Sequence, residues 1–305
     1  MKSQLKGLIA APFTPMDEHG ELDLTKIKDY YTLLKRNKVT GAFIAGSTGE
    51  GVSLTMDEKM ALAGAWAAAA ADDPGFHVII LVGGTCLKDC IQLARYAAEA
   101  GIYGVAFTAP SYFKPANASI LAELCRKIAG AVPDTPFYYY HIPVLTGCQV
   151  TMFELLKAID GSIPNLCGIK YTHEDFMDFQ SCMNIEGGRY NMLWGRDENM
   201  LPALALQTKA AVGSTYNYAA PLYHRLIEAY NRGDHSLAER LQQQAIDMIR
   251  LLGKYGGMAT GKAYMKLIGL DCGQFRLPIG NMDEKSFELF KKDTEQIGFP
   301  NFRSV

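Results

Sequence analysis

Lys170 lies inside the apolar run Leu166-Cys167-Gly168-Ile169-Lys170-Tyr171-Thr172, and thirty residues upstream a second apolar run carries Tyr140. A lysine drawn into a low-dielectric site loses hydration, which favours the free amine, the form that attacks a ketone to give a Schiff base. The alternative is a strand-end lysine that buries its stem and keeps its head in water. A third segment, Gly46-Ser47-Thr48-Gly49-Glu50-Gly51, offers backbone N–H groups and two hydroxyls to an anion. Its length and residues do not fit a P-loop, so a carboxylate is the better guest, with an ordinary glycine-rich turn as the alternative. A keto acid held by its carboxylate at Ser47 and Thr48 would present its carbonyl carbon to Lys170. The resulting imine is an electron sink, so the carbon–carbon bond beyond that carbon can break. Tyr140, aligned and supported by neighbours, can take the proton that leaves a hydroxyl and return one to the enamine.

Such a constellation needs a scaffold. Eight apolar runs, at 7–14, 41–48, 77–84, 104–110, 136–143, 166–172, 190–197 and 210–215, alternate with helical patterns at 24–36, 55–71, 87–99, 120–131, 152–159, 176–185, 201–207 and 221–230. Thr55 with Glu58 and Thr151 with Glu154 read as capping boxes. The alternation predicts an α/β fold, a (β/α)8 TIM barrel over 1–233, with a helical extension over 234–305 that packs on the barrel or on another subunit. An open doubly wound sheet is the alternative, but no G-x-G-x-x-G follows the first run. In a barrel the active site gathers at the carboxyl ends of the strands. Ser47 and Thr48 close the second run, Tyr140 and Lys170 lie near the ends of the fifth and sixth, Asp197 and Glu198 come after the strand of the seventh, and Ser214 lies at the end of the eighth. One βα unit separates Tyr140 from Lys170, which sets them on neighbouring strands about 4.8 Å apart. Alternation puts Leu166, Gly168, Lys170 and Thr172 on one face, with Gly168 leaving room in the lumen, and Tyr138 and Tyr140 on one face of their own strand.

Composition narrows the class of partner. With 305 residues, 49% of them hydrophobic, the chain can bury a large core. A net charge of −2 without a basic stripe argues against nucleic acid and against an anionic membrane. The start, Met1-Lys2-Ser3-Gln4-Leu5-Lys6-Gly7, has no signal-peptide h-region, and the alanine-rich stretch 60–71 is too short to span a bilayer. Seven scattered cysteines suit a reducing cytoplasm. Cys86 and Cys90 have no paired histidines, and His141 and His173 no converging ligands, so no metal is expected.

The segments Gly46-Ser47-Thr48-Gly49-Glu50, Tyr140-His141-Ile142-Pro143, Gly168-Ile169-Lys170 and Gly213-Ser214-Thr215-Tyr216-Asn217 resemble, nearly end to end, the pyruvate-dependent aldolase superfamily of dihydrodipicolinate synthase and N-acetylneuraminate lyase. Residues 138–147 are most similar to the lyase branch, particularly its vertebrate members. Leu145 separates the branches: the synthases carry an arginine there for the carboxylate of their second substrate, a contact leucine cannot make. The resemblance implies Lys170 as the Schiff-base lysine, Tyr140 as acid and base, and Ser47 with Thr48 as the carboxylate clamp. It sets the polyhydroxylated tail of a sialic acid against Thr172, Gly195, Asp197, Glu198 and Ser214. Asp197 and Glu198 also suit the first turn of the following helix. The implied reaction is reversible cleavage of N-acetylneuraminate to N-acetylmannosamine and pyruvate, with no cofactor beyond the covalent imine. A homotetramer, built as a dimer of dimers, is implied, with Tyr112 lent to a neighbour's site. Arg196 departs from the pattern, since relatives commonly carry an uncharged or aromatic residue there, and it either points outward or alters contact with the sugar tail. Another keto acid aldolase, such as a ketodeoxygluconate aldolase, the synthase, ranked well below the lyase, and a catalytically silent sensor of sialic acid or pyruvate remain as alternatives.

Overall fold

The computed structural model describes residues 4–305, so the first three residues of the amino-terminal stretch read above for a signal lie outside it. Among the described residues, eight strands follow one another around a closed barrel in sequence order: β1 (Gly7–Ala10), β2 (Gly41–Ile44), β3 (His77–Leu81), β4 (Gly104–Phe107), β5 (Phe137–His141), β6 (Leu166–Tyr171), β7 (Asn191–Trp194) and β8 (Ala210–Gly213). This is the expected TIM barrel with its carboxyl-terminal helices. Each strand is shorter than the apolar run that predicts it, because the last residues of each run pass into the segment that follows the strand. After β2, Ala45 turns to a left-handed φ of 52°, so Ser47 and Thr48 stand in the loop and do not close the strand. Similarly, β7 ends at Trp194, ahead of a 3-10 turn at Asp197–Asn199, and Ser214 follows the last residue of β8.

Parallel strands covered on both faces are apolar nearly throughout, and β5 and β6 fit that rule around their polar residues. Their register pairs Tyr140 with Lys170 and His141 with Tyr171. A bulge at Cys167, where Phe137 faces Leu166 and Tyr138 already faces Gly168, interrupts the alternation between Leu166 and Gly168. Gly168 serves the neighbouring strand more than the lumen: a Cβ there would stand 2.0 Å from the carbonyl oxygen of Asn191 on β7.

Both capping boxes form, Thr55 with Glu58 ahead of helix Met56–Ala70 and Thr151 with Glu154 ahead of helix Met152–Ile159. The helix expected from residue 221 begins at Tyr216 and takes Pro221 inside it. Ala219, at φ −141°, breaks the helix just ahead of this proline, whose ring and missing N–H disturb the preceding turn.

Contacts divide the chain into two compact units. The first comprises residues 4–7, Leu54–Arg196 and Thr208–Val212. An aromatic cluster anchors it, with Trp194 5.0 Å from both Phe176 and Phe179 and stacked at 6.3 Å on Tyr171. The second comprises Leu8–Ser53, Asp197–Gln207 and Gly213–Val305. Within it the carboxyl-terminal segment packs on the helix after β8. Tyr264 stacks on Tyr218 at 4.5 Å and meets Phe290 at 4.7 Å, while the Ser304 amide donates to the Tyr218 carbonyl. No helix among the described residues is long and apolar enough to cross a membrane.

Candidate active site

In the first unit the β5–β6 ladder fixes the two residues of greatest chemical interest. Lys170 and Tyr140 are register partners, and both are buried, at 4% and 3% exposure. The Lys170 Nζ lies over the Tyr140 ring, 4.1 Å from its centroid, a position that suits a cation against an electron-rich face. The snorkelling alternative is thereby excluded, since the amine stays inside. One step further along β6, the Thr172 amide continues the ladder to the His141 carbonyl. The Thr172 hydroxyl is buried without a hydrogen-bond partner among the described residues. It occupies the space that Gly195 leaves open, for a Cβ on Gly195 would lie 2.0 Å from Thr172 Oγ1.

The neighbours of this pair have separate tasks. Burial, with His173 5.6 Å away, pushes the His141 imidazole down to about 3, so it stays neutral. Among the described residues no group of three or more His, Cys, Asp and Glu side chains is placed to hold a metal ion. Arg196 turns to Glu174 at 2.8 Å, on a partly exposed surface. Tyr112 stands in the loop after β4, 79% exposed, its ring edge-on to Phe113. Val144 and Leu145, after β5, are exposed as well.

The second unit carries the remaining residues singled out from sequence. Ser47 and Thr48 are half-buried in a loop closed by hydrogen bonds from the Glu50 amide to the Ser47 carbonyl and from the Gly51 amide to the Gly46 carbonyl. Gly51 is obligatory there, because a Cβ would meet the Ala45 carbonyl oxygen at 1.9 Å. Asp197 is buried, and its Oδ2 accepts from the amide and the hydroxyl of Thr215, at 3.0 and 2.6 Å. Its Oδ1 has no hydrogen-bond partner among the described residues and points to Gly213, where a Cβ would lie only 1.8 Å away. Burial raises this carboxyl to about 6 despite the two Thr215 hydrogen bonds, which pull the other way. The carboxylate is therefore committed to Thr215 and not to the first turn of helix Met200–Ala205, whose N-cap is Asn199. Gln242 steadies this turn, donating to the Glu198 carbonyl at 3.0 Å and accepting from the Leu201 amide at 2.9 Å. Glu198 and Ser214 are half-buried.

For three participants in these arrangements the sequence assigns no role, although Gly213 and Thr215 lie within one of the motifs quoted above. Thr215 and Gly213 shape Asp197 from a position 18 residues or fewer away, and nothing in their types says so in advance. Lys262 ion-pairs with Glu50 at 2.9 Å across 212 residues, a separation that no local pattern reveals.

Residues 4–297 match the model of the dihydrodipicolinate synthetase family. The chain is 38% identical to N-acetylneuraminate lyase of Gallus gallus over 98% of both sequences. It is 37% identical to N-acetylneuraminate lyase of Homo sapiens over 100% of this chain and 96% of that protein. Among solved structures, Proteus mirabilis N-acetylneuraminate lyase superposes with a TM-score of 0.94 at 37% identity, covering 97% of this chain and all of the other.

Proposed function

This chain belongs to the dihydrodipicolinate synthetase family, and from that premise we propose that it is a Schiff-base aldolase that cleaves N-acetylneuraminate reversibly to N-acetylmannosamine and pyruvate. The observation that carries the reading is the buried pair on adjacent strands, Lys170 Nζ over the ring of its register partner Tyr140. The relatives named as N-acetylneuraminate lyases, similar over essentially their full lengths, support the choice of sugar acid.

In this reading the free amine of Lys170 adds to the ketone carbon, and the hydroxyl of the resulting carbinolamine leaves as water with the proton of the Tyr140 phenol, so that a protonated imine and the Tyr140 phenolate remain. The carboxylate is held by the hydroxyls of Ser47 and Thr48, which keeps the carbonyl carbon within reach of the amine. Tyr140, as phenolate, takes the proton of the hydroxyl on the carbon β to the imine. The bond between the α and β carbons then breaks, its electron pair moves into the imine, and an enamine and the aldehyde sugar result. Tyr140, now protonated, returns the proton to the α carbon, and water hydrolyses the pyruvate imine to free Lys170, the proton released in that step going back to Tyr140. No metal is needed, because the imine is the electron sink. Thr172, Gly195, Asp197, Glu198 and Ser214 receive the polyol, with Asp197 Oδ1 as an acceptor for one sugar hydroxyl. Leu145, in place of an arginine, disfavours a second carboxylate substrate.

The molecule is proposed to act as a cytoplasmic homotetramer, its helical extension at 234–305 supporting the barrel and its exposed Tyr112 completing a neighbour's site. Turnover on a panel of keto sugar acids tests the substrate. Release of pyruvate from N-acetylneuraminate, at a kcat/KM well above that on ketodeoxygluconate and insensitive to chelator, is expected. Preference for ketodeoxygluconate would move the chain to the sister activity, and absence of turnover with intact binding would make it a sensor.

A further inference from the structure

Glu50 ends the motif that contains Ser47 and Thr48, yet no step above uses it. Its side chain is fully buried and its backbone is left-handed at φ 55°, a conformation a non-glycine residue keeps only when its surroundings hold it there. Those surroundings are the carboxyl-terminal segment. Oε1 accepts from Lys262 Nζ at 2.9 Å and Oε2 from the Arg276 amide at 2.8 Å. Lys262, on helix Met258–Leu267, is itself 4% exposed, donates again to the Gln274 carbonyl at 2.8 Å, and lies over the ring of Phe275. Arg276 in turn reaches back, its side chain donating to the carbonyls of Ser53 and Gly20. The residue before Glu50 is tied as well, since the Thr14 hydroxyl donates to the Gly49 carbonyl at 2.6 Å.

A buried ion pair contributes little net stability, because desolvating both charges offsets their attraction. Its distinctive property is direction: a carboxylate with a fixed cation on one oxygen and a fixed amide on the other has one place to be. The backbone of Glu50 follows Gly49, only two residues after Thr48, and its amide closes the turn onto Ser47. Fixing Glu50 therefore restrains the backbone that carries the two hydroxyls.

We infer that Glu50 and Lys262 are positioning residues that hold the Ser47–Thr48 clamp in its carboxylate-binding shape, so that the carboxyl-terminal segment sets affinity for the keto acid. The inference rests on the clamp proposed above. Neither residue touches the reacting atoms, so its signature is a change in binding and not in chemistry.

The test is borohydride trapping of pyruvate on the full-length protein, with trapping rate measured against pyruvate concentration for wild type, Lys262→Met and the near-isosteric Glu50→Gln. Lys254→Met, which removes an exposed lysine of the same unit paired with Asp293, is the control. Half-saturating pyruvate is expected to rise about tenfold to a hundredfold in both loop variants, as for a binding group displaced by a fraction of an ångström to an ångström. The rate at saturation should change by less than about threefold by the same argument, and Lys254→Met should match wild type. Unchanged half-saturation in folded Glu50→Gln overturns the inference, as does a loss confined to the saturated rate. Should Lys262→Met not fold, Glu50→Gln alone decides. A wild-type protein that traps no pyruvate refutes the aldolase reading instead, and leaves the tether a structural feature only.

Discussion

Tyr140 and Asp197 have different tasks in the proposed site, and they make separable predictions. Tyr140→Phe keeps the ring beneath the Lys170 amine and removes only the hydroxyl. It should lower kcat by about 10²–10⁴-fold, the usual worth of a positioned acid or base, while pyruvate still traps on Lys170. Full turnover by the variant would assign the proton transfers elsewhere. Asp197 predicts a pH effect whose sign is fixed by its burial. The carboxyl is raised to about 6 in the fold, against about 3.9 in an unfolded chain, so between those values the native state binds the extra proton. The stability associated with this proton is greatest below about 3.9 and is lost as pH rises through about 6, on the order of 3 kcal/mol at most. Asp197→Asn, which can still accept from Thr215, should therefore have a higher Tm than wild type at pH 8 and nearly the same Tm near pH 4. The same substitution should weaken the sugar acid without affecting trapping of pyruvate. A Tm difference that does not depend on pH would contradict the assigned cause.

At the scale of elements, much was legible because strand and helix periods differ so plainly. The capping boxes at Thr55 and Thr151 and the one-unit spacing of Tyr140 and Lys170 are local or nearly local signals, and the structure has both boxes and the paired register. What was not legible depends on contacts made at a distance or on backbone turns. The left-handed Ala45 that takes Ser47 and Thr48 out of β2 and the bulge at Cys167 are backbone turns that residue types do not announce, and the Lys262–Glu50 pair joins residues 212 apart. Pro221 misled in the other direction, since it reads as a helix start but lies beyond a break at Ala219 within a longer helix. Gly168 is an element-scale residue too. Its Cβ would collide with the Asn191 carbonyl, which belongs to a ladder and cannot step aside. Gly168→Ala should separate β6 from β7, destabilise by about 1–3 kcal/mol or more, and disturb Lys170 two residues on. Thermal melting together with trapping rate measures both effects, and a variant normal in each would show that the strands can yield.

For the whole molecule, Tyr112 and Phe113 after β4 and Val144 and Leu145 after β5 are large apolar groups exposed beyond neighbouring strands, and exposed apolar groups of this size suit the proposed subunit contact. Sedimentation velocity should show a tetramer. Tyr112→Ala should lower kcat/KM for the sugar acid in protein that remains assembled, whereas unchanged kinetics would remove Tyr112 from the site. The central claim concerns one nitrogen. Incubation with pyruvate and borohydride, followed by mass analysis of peptides, should place a carboxyethyl group, the reduced pyruvate imine, on the Lys170 nitrogen alone, and Lys170→Ala should form none while remaining folded. An adduct on another lysine, or turnover of N-acetylneuraminate by Lys170→Ala at the wild-type rate, would contradict the account.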